Sequence, residues 1–133
     1  MPSFQFPTKE RLKSKKHIAL LFKSGQTLAA FPVLGIYHIQ GKDDALFDDA
    51  SQLKVAFTVP KKHFKKAVIR NLIKRRMTEA WRLHKSSYID FLQESNLSTQ
   101  IMIIYLGKET LPYKNIEKGI KKLLRKLPKQ IPN

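Results

Sequence analysis

Cysteine is absent from this chain, which excludes disulfide staples and cysteine-ligated zinc and is consistent with a reducing compartment. Nowhere does the sequence run to the ~18 consecutive apolar residues that a membrane-spanning helix needs. The opening segment MPSFQFPTKERLKSKK also has no apolar stretch of the kind a secretion signal carries, so a soluble, cytoplasmic protein is expected. Acidic residues are scarce as well. There are 10 of them against 26 lysines and arginines, a formal charge of +16. A field of that sign selects polyanionic partners: nucleic acid first, an anionic membrane surface second, an acidic protein third. Apolar side chains, by contrast, are plentiful. They make up 42% of the 133 residues, enough for a core, so the charge decorates one folded domain rather than a disordered basic tail.

The pattern along the chain divides it into an extended arm (1–8, with Pro2 and Pro7), a single domain (9–127) and a short tail (128–133). Thr8 is a suitable N-cap, and Leu12, Ile18, Leu21 and Phe22 recur near helical spacing until Gly25, which predicts a first helix over 9–23. FPVLGIYHI (31–39) and LKVAFTV (53–59) predict strands, the second closed by Pro60. Between them Asp43, Asp44, Asp48 and Asp49 gather in one solvated loop, leaving most of the remaining surface positive. From Phe64 to His84 helix formers run without glycine or proline, the most pronounced element of all; Ser86 and Ser87 loosen it, with a further turn or two over 88–93. QIMIIYL (100–106) reads as a strand covered on both faces, and Ile116, Ile120, Leu123 and Leu124 mark a last helix over 111–126, stopped by Pro128 and Pro132. No internal repeat is present. The order α-β-β-α-β-α gives an α+β sandwich, a small mixed sheet with three helices, in which one sheet face can be left for a ligand.

The positive charge is concentrated on the long helix. Ten basic residues lie between Lys61 and Lys85, opposed only by Glu79. On a helical wheel Lys66, Arg70 and Lys74 stack on one face with Asn71 beside them, while Ile69, Ile73 and Ala80 point toward another. Like charges at i, i+4 cost an isolated helix a few tenths of a kcal/mol per pair, a cost that a bound polyanion removes. A basic stripe is usually just a solvated face, but here the near-absence of interleaved acids favours binding.

The run VAFTVPKKHFKKAVIRNLIKRRMTEAW closely resembles the signature of the bacterial ribonuclease P protein subunit, whose hallmark is R-N-R-x-K-R on a long helix after a strand ending in a Lys-Lys turn. Lys61 and Lys62 match the turn, Ala67 and Val68 the small apolar pair before the motif, and Arg70, Asn71, Lys74 and Arg75 the motif itself. ERLKSKKHIALLFKSGQTL looks like the family's first helix, with Leu12, Phe22 and Gly25 in register. The resemblance covers essentially Lys9 to Leu127. Three positions depart from it: Leu72 replaces the second arginine of the motif, Thr78 replaces a basic residue, and Ile18 stands where a phenylalanine is common. Arg76 is expected to supply part of the charge that Leu72 cannot, with Leu72 packing the helix onto the sheet.

The resemblance implies a left-handed strand-helix-strand crossover, an exception to the usual hand, in a fold like the second domain of a small-subunit ribosomal protein. It also implies a ribonucleoprotein, in which a catalytic RNA subunit holds Mg2+ and removes the 5′ leader of precursor tRNA while the protein binds no metal and has no catalytic residue. Lys61, Lys62, Lys66, Arg70, Asn71, Lys74, Arg75 and Arg76 would then bind the RNA subunit. The leader would lie in a cleft between the first helix and the sheet, against Phe22, Ile18 and Tyr37.

Other chemistry is weaker in the sequence. His17, His38, His63 and His84 lie in different elements, so a two-histidine nuclease has no visible pair, and the aspartate cluster lacks the glycine and terminal glutamate of a calcium loop. A DNA-binding helix-turn-helix would need a short turn and partner helix that do not follow, and a membrane-surface peptide would not contain strands. The remaining alternative is a structural, ribosomal-type RNA binder, which composition alone does not separate from the ribonuclease P reading.

Overall fold

A computed structural model of the chain describes residues 10–41 and 52–130; the arm at 1–8 and the aspartate loop at 43–49 lie outside them. Helix α1 (Lys15–Ser24) begins where Ser14 can cap it, its Oγ accepting from the His17 amide at 3.2 Å, several residues later than the pattern from Thr8 suggested. Gly25 caps its end, its amide donating to the Leu21 carbonyl at 2.7 Å, where a Cβ would crowd that carbonyl oxygen and the Ile36 side chain. The chain turns at once into strand β1 (Gln26–Ala30), antiparallel to β2 (Val33–Gly41). QTLAA carries little β signal on its own, which is why the sequence did not announce it. Strand β3 (Leu53–Thr58) is followed by α2 (Ala67–His84), α3 (Ser86–Ser95), β4 (Leu97–Tyr105) and α4 (Tyr113–Lys126), with one 3-10 turn over Leu127–Lys129. The described residues thus form a mixed α+β fold of four α-helices and four strands, where three and three are expected from the sequence pattern.

The extra helix comes from a break at Lys85. That side chain is only 2% exposed and forms an ion pair with Glu10 Oε1 at 2.6 Å, so the chain bends where a lysine is drawn inward. Asn96, at φ 57°, closes α3 in the left-handed conformation that asparagine tolerates.

The sheet order is β1-β2-β4-β3, with β4 antiparallel to β2 and parallel to β3, so β3, α2, α3 and β4 form a crossover between parallel neighbours. Beyond β3 the Leu12 amide donates to the Val55 carbonyl at 2.9 Å, adding a bridge at the sheet's edge. Alternation assigns the faces. Val33, Tyr37, Ile39, Val55, Ile101, Ile103 and Tyr105 point to the side covered by α2, α3 and α4, in one core with Trp81, Tyr88 and Leu123. Ile36 and Met102 point the other way and pack with Leu12 and Leu21 beneath α1. Each large apolar side chain fully buried is worth about 1.5–3 kcal/mol, so the helix-rich face carries most of the stability and the α1 layer far less.

Candidate RNA interface

The basic turn is fixed from below and open above. Val59 and Phe64 are buried on either side of it, the Phe64 ring against Tyr105 at 5.7 Å between centroids, and Lys61, Lys62 and His63 stand exposed between those anchors. Lys65 and Lys66 are exposed on the way into α2. Arg70, one turn inside the helix, reaches back: its Nη1 donates to the Phe64 carbonyl at 2.7 Å and to the Lys65 carbonyl at 2.9 Å. The turn and the helix are therefore one rigid piece. The first turn of α2 holds no acidic residue and no side-chain cap, so the positive end of the helix dipole adds to the lysines rather than being offset.

Along α2 the burial of Ile73, Met77, Ala80 and Trp81 sets the outward direction. Asn71 and Arg75 are exposed there with Val68, which is 76% exposed, and Lys74 is half-buried at their flank. Thr78 bends its hydroxyl back to the Lys74 carbonyl at 2.8 Å and offers nothing outward. Arg76 requires a correction. Its Nη1 donates to the Leu111 carbonyl at 2.6 Å, on the flank facing the start of α4, so it ties two elements together instead of standing in for the missing arginine. Leu72, on the same flank, is half-buried and belongs to neither hydrophobic cluster; it does not pack the helix onto the sheet.

On the opposite face of the sheet, α1 presents Ile18, half-buried, and Phe22, 58% exposed, one turn apart. Tyr37 is not with them. It is 3% exposed in the core beneath the other helices, its hydroxyl donating to Gln26 Oε1 at 3.1 Å, because odd-numbered residues of β2 face away from α1. The sheet residues that share α1's face are Leu34, Ile36 and His38 of β2, Met102 and Ile104 of β4, and Lys54 and Ala56 of β3. Gly35 was the available signal: a Cβ there would meet Ile101 at 2.9 Å and Leu123 at 3.3 Å, so its row, which includes Tyr37, is the one a helix presses closely.

Residues 6–128 match the family model described as Ribonuclease P. The chain belongs to the ribonuclease P protein family. Among its relatives, the ribonuclease P protein component of Porphyromonas gingivalis (strain W83) is 26% identical over 132 residues, covering 99% of this chain and 93% of that one. That of Pectobacterium atrosepticum is 29% identical over 128 residues, 95% of this chain and 93% of its counterpart. Of solved structures, the ribonuclease P protein from Thermotoga maritima superposes with a TM-score of 0.64 at 21% identity, over 88% of this chain and 96% of that one. The ribonuclease P protein of Staphylococcus aureus gives 0.63 at 20%, over 87% and 93%. At such identities the likeness carries the fold, while the placement of individual side chains in this ribonuclease P protein rests on its own geometry.

Two acidic groups elsewhere are engaged in structure. His84 Nε2 lies 2.9 Å from Glu117 Oε2, and this hydrogen bond is the main reason the Glu117 carboxyl sits below its ordinary range. Glu79 is likewise held low by its bond to Arg82, whose Nε donates at 3.1 Å. The four histidines are spread over α1, β2, the turn and α2. Among the described residues no three His, Asp or Glu converge to hold a metal ion, and no helix is long and apolar enough to cross a membrane.

Proposed function

We propose that this protein is the accessory subunit of ribonuclease P, binding the catalytic RNA subunit and the 5′ leader of precursor tRNA and assisting endonucleolytic removal of the leader. The observation that carries the reading is the rigid basic turn joined to α2, with Lys61, Lys62, Lys66, Asn71 and Arg75 exposed on a piece that Arg70 locks. Preorganised cations neutralise RNA phosphates and release their counterions without first having to be ordered. A second surface, Ile18 and Phe22 beside the α1 face of the sheet, has the apolar character suited to the splayed bases of a single strand. The reaction's Mg2+ is assigned to the RNA subunit, the setting is the cytoplasm, and the crossover from β3 to β4 takes the family's left hand. Within this scheme the protein raises the affinity of the RNA enzyme for its substrate and moves no proton itself.

Reconstitution tests this. Protein added to a cognate catalytic RNA with magnesium at low salt should stimulate production of the mature tRNA 5′ end, whereas protein alone should give no cleavage. Contaminant-free cleavage without RNA would overturn the assignment of roles, and absence of any stimulation would return the protein to the class of structural RNA binders.

A further inference from the structure

Helix α4 carries a second basic surface. Lys114, Lys118, Lys121 and Arg125 recur at i, i+4, i+7 and i+11, all exposed, on the side opposite the buried Ile116, Ile120 and Leu123. Stacked like charges weaken a helix by themselves, and the single acid of α4, Glu117, is already engaged by His84 at 2.9 Å and by the Tyr113 hydroxyl at 3.4 Å. Lys121 feels that carboxylate from a neighbouring turn. Among the described residues neither Lys121 nor Arg125 makes an ion pair.

The stripe runs into a pocket of about 350 Å3 between the α2–α3 corner and the second half of α4. Its polar lining is Lys121, Arg125, Ser87 and His84. Its apolar lining is Tyr88, Leu124 and Pro128. The Tyr88 hydroxyl is spent on Thr99 Oγ1 at 2.7 Å and its ring, 1% exposed, is packed with Phe91, so Tyr88 closes the floor of the pocket. This is neither the turn nor the α1 face. From Arg75 to His84 the distance along α2 is about 14 Å at 1.5 Å per residue, and the Glu79–Arg82 pair occupies the interval.

We propose that this pocket binds a nucleotide phosphate of an RNA strand, the phosphate between Arg125, Lys121 and Ser87 and the adjoining sugar or base against Pro128, above the buried Tyr88 and Leu124. Arginine forks two parallel hydrogen bonds onto a phosphate, and lysine adds a point charge beside it. A volume at the small end of ligand sites exceeds what a carboxylate needs and accommodates a phosphate with its nucleoside, and the apolar wall distinguishes it from a purely ionic patch that an acidic peptide would satisfy.

The test follows backbone amide resonances of the isotope-labelled full chain during titration with pentauridylate, 5′-AMP, inorganic phosphate and a pentaglutamate peptide. Pentauridylate should shift Ser87, Lys121 and Arg125. In Lys121→Ala/Arg125→Ala the affinity read at those signals should fall at least tenfold, and Lys121→Arg/Arg125→Lys should restore most of it. Asn71→Ala/Arg75→Ala should leave them unchanged, which separates this site from the motif; because no RNA subunit is present, the outcome is independent of the ribonuclease P assignment. Saturation by 5′-AMP at the affinity of pentauridylate would uphold the site and make its ligand a free nucleotide. Unmoved pocket signals, an unaffected alanine variant, phosphate binding as well as 5′-AMP, or preference for pentaglutamate would each overturn the proposal.

Discussion

The two surfaces assigned to RNA lie on opposite faces of one sheet and differ in kind. At the start of α2 the interface is charge on a rigid support, with Arg70 bridging turn and helix and a dense core beneath. Over α1 it is an exposed phenylalanine on a smaller layer whose buried apolar residues, among those described, are Leu12, Leu21, Ile36 and Met102. The first arrangement suits a partner met as folded backbone, where position and salt matter; the second suits a flexible strand whose bases must be stacked one at a time. On the proposed assignment the two surfaces would answer to different physics, salt and position at the turn and base stacking over α1.

The comparison breaks first at Arg70. Arg70→Ala removes charge-assisted bonds to two carbonyls and should lower stability by about 1.5–3 kcal/mol while weakening RNA-subunit binding, because the lysine turn is set free. Arg70→Lys, whose ammonium falls about one bond short of the position from which Nη1 reaches both carbonyls, should rescue only part. Denaturant unfolding and a binding titration measure the two losses, and affinity lost without stability would make Arg70 a direct RNA contact instead. Next comes Phe22→Ala, which should cost about 1–3 kcal/mol in holoenzyme affinity for leader-bearing precursor tRNA and almost nothing for mature tRNA. Equal losses for both substrates would remove the leader from this face.

Smaller effects sharpen the contrast. Tyr37→Phe leaves the ring in the core and deletes the bond to Gln26, so stability should drop by about 0.5–1.5 kcal/mol with leader affinity unchanged. A selective loss of leader affinity would return Tyr37 to the cleft. Leu72→Arg, on a half-buried position outside either cluster, should fold normally. If the family's arginine touches a phosphate, the slope of log affinity against log salt for the RNA subunit should steepen by about 0.7–0.9. An unchanged slope would place that flank of α2 off the RNA.

Much of this was legible beforehand. The Lys61–Arg75 stretch announced itself because its acids are missing and its helix formers are unbroken, both local properties. The role given to Tyr37 was misread because an aromatic in a strand says nothing of which face it takes until the register and the helix packed on Gly35 are known. Arg76 and Lys85 were opaque for a different reason. Their partners, Leu111 and Glu10, lie 35 and 75 residues away, and no spacing rule connects residues that only the fold brings together.

The Lys85–Glu10 clasp also bears on the order of assembly. As the chain leaves the ribosome, Glu10, Leu12 and Leu21 emerge long before Lys85 and Met102, the partners that close the α1 layer. At typical synthesis rates of about 5–20 residues per second, that wait is on the order of several seconds. Throughout it, a strongly cationic amino-terminal segment is tethered within reach of ribosomal RNA with its apolar side uncovered. Completion of β4 ends the exposure, so the α1 layer waits on residues of the carboxy-terminal half, and α4 closes the opposite face after it.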